Sequence, residues 1–472
     1  MNHPTDGIGV PARHWAMLTI ALGVSMAVLD GSIANVALPT IARDVGATPA
    51  NAVWVVNAYQ LAVTVSLLAC ASLGEIVGYR RVYLTGLAVM TLASLACALS
   101  GSLLALSLAR VLQGLGASAM MGVNIAQLRF VYPRRMLGTA LGINAMVVAV
   151  SAAIGPTLAS AILSAASWQW LFLVNVPIGA IAVLIGSRVL PETPRGTHAF
   201  DWLSALLNAA AFGLLITGID EIGHGEAPLL VALEIAGGVG FFWLLVRRQG
   251  ARAAPLLPVD LLRIPMFSLS VLTSVCSYAA QMLAYVSLPF FLQDTLGYGQ
   301  VATGLLMTPW PVAVAVAAPL SGRLTDRYPA GVLGSVGLFI MACGLVLLAT
   351  LPAHATPLNI GWRMALCGAG FGLFQTPNNR TLMASAPSHR SGGAGGMLAT
   401  ARLLGQTTGA ALVAVAFSFF AERGGVVSLG GGAVCAAAAA AVSLLRLSGR
   451  AKAAPRASVP GEVPASGGVR HP

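Results

Sequence analysis

The chain has 472 residues, of which 57% are hydrophobic and only 9% charged, against roughly 25% charged in soluble domains. A chain of this length in water would divide into domains that each need a polar skin, and the polar residues for it are missing. A soluble enzyme is therefore excluded, and a lipid bilayer is the solvent that fits. The net charge of +11 is not a nucleic-acid footprint, because no basic cluster is interleaved with aromatic residues.

Cys70, Cys97, Cys276, Cys343, Cys367 and Cys435 all lie in apolar runs and form no CxxC pair, so neither a disulfide framework nor a zinc site is expected. The seven histidines are scattered at no ligand spacing, and no metal or other cofactor is expected. Lys452 is the sole lysine, so a GxxxxGK[ST] phosphate loop cannot exist and any pumping must be driven from elsewhere.

A bilayer-crossing helix needs about 20 mostly apolar residues. Six such segments come first: Trp15–Val36, Val53–Gly74, Val82–Gly101, Leu103–Leu128, Leu137–Leu163 and Trp168–Leu190. Two more, Trp202–Ile219 and Leu229–Val246, stand between polar stretches. A last six comprise Met266–Leu292, Thr303–Leu320, Val332–Leu351, Trp362–Ala384, Met397–Phe420 and Val426–Leu447, for fourteen in all. The expected organisation is an all-α integral membrane protein with a cytoplasmic tail at 1–14, a six-helix bundle at 15–192, two linking helices at 193–250, a second six-helix bundle at 251–448, and a disordered cytoplasmic tail at 449–472. The first segment is too long for a signal-peptide core and no A-x-A site follows it directly, so it is expected to be retained.

With the N-terminus in the cytoplasm, 21 of the 26 basic residues fall inside. Arg43, Arg363 and Arg423 fall outside, and Arg110 and Arg402 lie within spans. This bias obeys the positive-inside rule and supports an even number of crossings, with both ends cytoplasmic.

The two groups of six look like copies. Leu73, Glu75 and Gly78 in ASLGEIVGYRR match Leu324, Asp326 and Pro329 in SGRLTDRYPAG at an offset of 251, and Gly114 and Gly116 match Gly368 and Gly370 at an offset of 254. A repeated six-helix unit is a common build for secondary transporters, with substrate bound near the midplane between halves that rock.

Asp30 is the sharpest chemical signal, because a carboxylate inside a span is costly and needs a partner or a proton. At a rise of 1.5 Å per residue, Asp30 lies about 9 Å and Arg110 about 10 Å below the outer ends of their spans. The two can share a depth. They form either a proton-coupling element, switched by helix motion, or a static buried pair that fixes packing. At the offset of 251, Asp30 corresponds to Gln281, which cannot titrate, so proton chemistry is expected in the first half, with Gln281 binding substrate or acting as interhelical polar glue.

Gly155-Pro156 sits within the fifth span, where the proline frees the Ala152 carbonyl and bends the helix, whereas the matching position is Gly409-Ala410. The kink either shapes the cavity on one side or is architectural. Gly74, Glu75, Gly78, Arg80 and Arg81, with Asp326 and Arg327, crowd short cytoplasmic turns. There they either latch an inner gate or act as snorkelling topology residues. GLGASA at 114–119 matches a dinucleotide fingerprint only formally, since no strand precedes it. Asn57, Gln60, Gln113, Asn124, Asn144, Gln375 and Asn378 lie within spans and, with Gln281, are candidates for a wet substrate cavity.

LDGSIANVALP (Leu29 to Pro39), ASLGEIVGYRR, RVLQGLG (Arg110 to Gly116), GPTLAS and WQWLFLVNVPIG (Trp168 to Gly179) together resemble the fourteen-span drug:proton antiporters of the major facilitator superfamily, over roughly residues 13 to 448. The resemblance implies proton-driven export of amphiphilic drug-like or antibiotic compounds across a bacterial cytoplasmic membrane by a monomer that is not an enzyme and binds no nucleic acid. It assigns Asp30 as the first-helix acid, Arg110 as the fourth-helix basic residue of proton transfer, and Gly155-Pro156 as the core of the antiporter motif. Glu75, Gly78 and Arg80 belong to the gating loop. This chain departs from the pattern with Ala71 for Gly, Glu75 for Asp, and Ala159-Ser160 for Gly-Gly. A dedicated exporter of one endogenous metabolite or self-made antibiotic is the alternative. A passive channel and a membrane enzyme rank below both, since no catalytic His, Asp or Glu cluster sits at either membrane face.

Overall fold

A computed structural model describes residues 7–196, 200–224, 227–249, 259–352, 354–387 and 391–450. The described residues contain no β-strand. In the first group, helix α1 is Ala12–Asp44, α2 is Pro49–Val77, α3 is Tyr79–Ala98, α4 is Leu103–Val131, α5 is Leu137–Ala165 and α6 is Gln169–Val189. The linking pair is α7, Trp202–His224, and α8, Pro228–Gln249. The second group is α9, Pro265–Thr295, α10, Gln300–Leu324, α11, Ala330–Ala349, α12, Pro357–Ser385, α13, Ser391–Phe420, and α14, Gly424–Arg450.

Thirteen of these helices are long and apolar enough to cross a membrane. The remaining one, α12, forms at full length but carries Arg363, Gln375, Asn378, Asn379 and Arg380. The helices overrun several predicted ends. Helix α1 continues through Pro39 to Asp44, past the predicted end at Val36, because a proline near a helix end removes few backbone bonds. Gly449 and Arg450 extend α14 where a tail was expected. The rest of that tail, 451–472, and the charged residues Glu226 and Arg252 lie outside the described residues.

The repeat seen in the sequence is a repeat of packing. In the first bundle α2 and α3 each pack on α4, and α1 packs on α5 and α6; in the second α10 and α11 each pack on α12, and α9 packs on α13 and α14. The sequence cause is a pair of glycine crossings. A Cβ on Gly116 would lie 2.5 Å from the Met90 nitrogen, and one on Gly370 would lie 2.6 Å from the Met341 nitrogen. Helix backbones approach this closely only over small residues.

Helix α7 packs on both α2 and α13, one helix of each bundle, and α8 packs on α7. Asp201 starts α7: its carboxylate accepts bonds from the Ser204 hydroxyl at 2.7 Å and from Arg248 of α8 at 3.1 Å. Partial burial pushes this carboxyl upward, and the Ser204 and Arg248 donors outweigh it, holding the group below its usual range.

Gly370→Leu is expected to destabilise the protein by about 1–3 kcal/mol through overpacking of the α11–α12 crossing, read as a lower thermal transition in detergent. Gly138→Ala, at a position where a Cβ meets nothing within 4 Å, should leave that transition in place.

Candidate functional site

Asp30 and Arg110 meet. Asp30 is 3% exposed and Arg110 0%, and the Arg110 Nη1 donates directly to Asp30 Oδ2. The other carboxylate oxygen accepts from Gln113 Nε2 at 2.7 Å and from Asn175 Nδ2 at 3.3 Å. Arg110 also donates to Gln113 Oε1 at 2.7 Å and, through Nε, to the Val55 carbonyl at 2.8 Å. Gln113 donates further to Ser94 Oγ at 2.9 Å. The guanidinium lies 4.3 Å from the Tyr59 ring centroid, and a cation over an aromatic face is stabilised there. Helices α1, α2, α3, α4 and α6 thus converge on one ion pair.

Gln113, grouped in sequence with the cavity amides, belongs to this cluster. Asn175 and Ser94 were not singled out in the sequence; an Asn within the apolar run WQWLFLVNVP carries no sign of its partner. Asn378 lies in the second bundle, where it donates to Ser274 Oγ at 2.7 Å and accepts from Arg446 Nη2 at 2.6 Å. Gln375 and Gln281 are half-buried, and Gln375 donates to Tyr278 OH at 2.9 Å. Asn144 accepts from Asn124 at 3.0 Å. Asn57 is fully buried with neither amide atom hydrogen-bonded. Gln60 is buried one turn along, where its carbonyl accepts from Thr64, whose hydroxyl lies 3.0 Å from that of Thr407 across the bundles.

The arginine-rich turns pair within a bundle or with its flank. Gly78 has φ +107°, a backbone state that suits glycine, and so lets α3 start directly after α2. The Gly74 carbonyl accepts the Gly78 amide at 3.0 Å, and the Glu75 carbonyl accepts the Gly196 amide at 2.7 Å. Arg80 reaches Glu192 at 3.4 Å and the Ser187 carbonyl at 2.5 Å. Asp326 pairs with Arg380 at 2.7 Å, while Arg81 and Arg327 are exposed.

The outer ends, in contrast, bond across the bundles. Thr40 donates to Gln300 Oε1 at 2.9 Å, Gln300 donates to the Leu163 carbonyl at 3.0 Å, and Arg43 pairs with Asp294 at 3.0 Å. Thr157 and Thr308 hydroxyls lie 2.8 Å apart. This latch was not foreseen, because Arg43 reads as an ordinary loop charge.

One stripe of α5 shows which way the molecule opens. Gly138, Gly142, Ala145 and Ala149 are exposed, whereas Pro156 and Ser160, further along the same face at the 3.6-residue period, are buried. Their cover is α10: a Cβ on Gly304 would lie 2.5 Å from the Pro156 carbonyl oxygen. Gly155 abuts α1, where an added Cβ would clash with Ser32 Oγ. Helix α10 repeats the pattern, with Gly304 and Pro311 buried and Ala315 and Pro319 exposed. The cleft between the bundles is closed at the outer side and open at the arginine-rich side.

Two six-helix bundles about a cleft open to one side, with a buried ion pair beside it, define a membrane transporter that works between two faces. The chain belongs to the Major Facilitator Superfamily, whose family model matches residues 20–410. It is 58% identical to the uncharacterized transporter YebQ of Escherichia coli over 94% of this chain and 97% of that protein. It is 32% identical to the riboflavin transporter RibZ of Clostridioides difficile, covering 87% and 89% of the two chains. It is 30% identical to the tetracenomycin C resistance and export protein of Streptomyces glaucescens, covering 87% and 77%. Among solved structures, the occupied inward-facing form of a bacterial homolog of the human lysosomal transporter Spinster matches with a TM-score of 0.67 at 16% identity, covering 93% of this chain and 98% of that one.

Arg110→Leu should cost about 3–5 kcal/mol by stranding a buried carboxylate, and Asp30→Asn in the same chain should recover most of that loss in a thermal scan. In a variant without native cysteines, Ala145→Cys should react with a maleimide added from the cytoplasmic side, and Ser160→Cys should stay unlabelled.

Proposed function

We propose that this transporter is a proton-coupled antiporter that exports drug-like or antibiotic compounds from the cytoplasm by alternating access, as a monomer in a bacterial cytoplasmic membrane. The observation that carries the reading is the Asp30–Arg110 pair, a carboxylate and its counter-ion held 3% and 0% exposed inside a membrane bundle. A buried ion pair contributes little net stability, so its cost points to use. A proton arriving from the outside neutralises Asp30 and weakens its hold on Arg110; Gln113 and Asn175 can hydrogen-bond either protonation state, because an amide both donates and accepts. Release of that proton to the cytoplasm restores the pair. In this cycle the bundles 15–192 and 251–448 are the moving bodies, with 193–250 linking them. The membrane potential supplies about 2.3 kcal/mol per charge per 100 mV.

Relatives named for multidrug resistance, in Mycobacterium tuberculosis, and for tetracenomycin C resistance and export, in Streptomyces glaucescens, support a drug-like substrate. A relative named for riboflavin keeps a dedicated metabolite exporter as the alternative. Growth of an expressing strain against a panel of unrelated toxic compounds separates the two: protection against several favours the broad exporter, and protection against one or none favours the dedicated one.

Asp30→Asn should insert normally yet lose proton-driven substrate uptake into inverted vesicles. Uptake at the wild-type rate would remove Asp30 from the coupling mechanism.

A further inference from the structure

Arg402 is a cation in the wrong place for a topology signal. It lies within the 30-residue helix α13, about 17 Å from the helix start at 1.5 Å per residue, too deep for its side chain to snorkel to the headgroups. No ion pair or hydrogen bond reaches it from the described residues, and its Nε is buried without a partner, although the residue as a whole is half-buried.

The helix geometry says where it points. Gly405 and Gly409 face α9, where added Cβ atoms would meet the Val275 and Ala279 carbonyl oxygens. Leu403 joins the buried apolar cluster of the first bundle, and Thr407 meets Thr64 of α2. At 100° per residue, Arg402 falls between these two faces, so it points into the wedge between α9 of one bundle and α2 of the other. Its guanidinium is also within electrostatic reach of Tyr59, the ring that covers Arg110.

The acids of the described spans do not balance this charge. Away from helix ends they are Asp30, committed to Arg110, and Glu234 of α8, whose carboxylate accepts from Thr217 of α7 at 3.0 Å. The cleft therefore presents a guanidinium to its contents and no uncommitted carboxylate. Left to itself, such a group is costly at membrane depth; a bound oxyanion would satisfy it with charge-assisted, bidentate hydrogen bonds.

We propose that Arg402 is an anion-binding group of the transport pathway, and that the exported compound carries a carboxylate or a comparable oxyanion. This rests on the reading of the cleft as an export pathway. It disfavours the lipophilic cations that a bare resemblance to drug exporters would admit.

The test is equilibrium binding to the purified full-length protein in detergent, read by fluorescence polarisation with two dyes on the same tricyclic scaffold, anionic fluorescein and cationic rhodamine 6G. Fluorescein should bind roughly tenfold or more tighter than rhodamine 6G, the scale of one charge-assisted bond. Arg402→Gln should erase that preference by weakening fluorescein alone, and Arg402→Lys should keep most of it. Tighter binding of rhodamine 6G, an unchanged preference in Arg402→Gln, or no saturable binding of fluorescein would each overturn the proposal. Binding needs no proton gradient, so failure of the antiport reading, seen as Asp30→Asn vesicles that still take up substrate, is a separate result.

Discussion

The controlling constraint in this protein is the placement of one carboxylate where water cannot reach it. Asp30 is accommodated by drawing groups from three other helices: Arg110 and Gln113 from α4, Asn175 from α6, and, through Gln113, Ser94 from α3. The guanidinium is held in turn by the Val55 carbonyl and the Tyr59 ring of α2. Desolvating both charges consumes much of what their attraction returns. A first bundle selected for stability alone would do better with apolar side chains at these positions.

The second bundle shows that alternative. It repeats the scaffold, with Gly337 and Gly370 crossing as Gly86 and Gly116 do, and it replaces the chemistry. Offsets of 251 and 254 put Gln281 where Asp30 stands, Met364 where Arg110 stands, Cys367 where Gln113 stands and Trp310 where Tyr59 stands. Met364, Cys367 and Trp310 are fully buried. The second half keeps the close backbone crossings, over small residues that let helices approach, and the buried ion pair stands in the first half.

The architecture was legible in the sequence because bilayer thickness and arginine placement impose strong, redundant patterns on it. Asp30 and Arg110 were legible because charges at membrane depth are rare enough to single out each other. Amides are not rare, and a helical residue does not announce which neighbour it faces. Gln113 and Asn378 thus read as cavity candidates although each is committed within its own bundle, and Asn175 drew no notice although it touches Asp30. The outer latch was invisible for a related reason: Thr40, Arg43, Asp294 and Gln300 become partners only when two segments some 250 residues apart are packed together. Arg402 was seen as a charge within a span, but its lack of a partner is a property of three dimensions.

The distribution of bonds between the two ends bears on how the molecule can move. At the arginine-rich end the ion pairs Arg80–Glu192 and Asp326–Arg380 stay within a bundle and its flank, so they stiffen each half without holding the halves together. At the opposite end the seal consists of a few cross-bundle contacts, and the ion pair among them, Arg43–Asp294, is exposed on both sides. Such a pair contributes about 0–1 kcal/mol, and a neutral hydrogen bond about 0.5–1.5 kcal/mol net. The polar seal is therefore on the scale of the roughly 2.3 kcal/mol that one charge gains in crossing 100 mV, leaving the close packing of α5 on α10 as the other element that holds this end closed. The stripe through Gly138, Ala145 and Pro156 is built of small residues, so it presents no large side chain that would have to be withdrawn if α10 were to pack against the other half of α5.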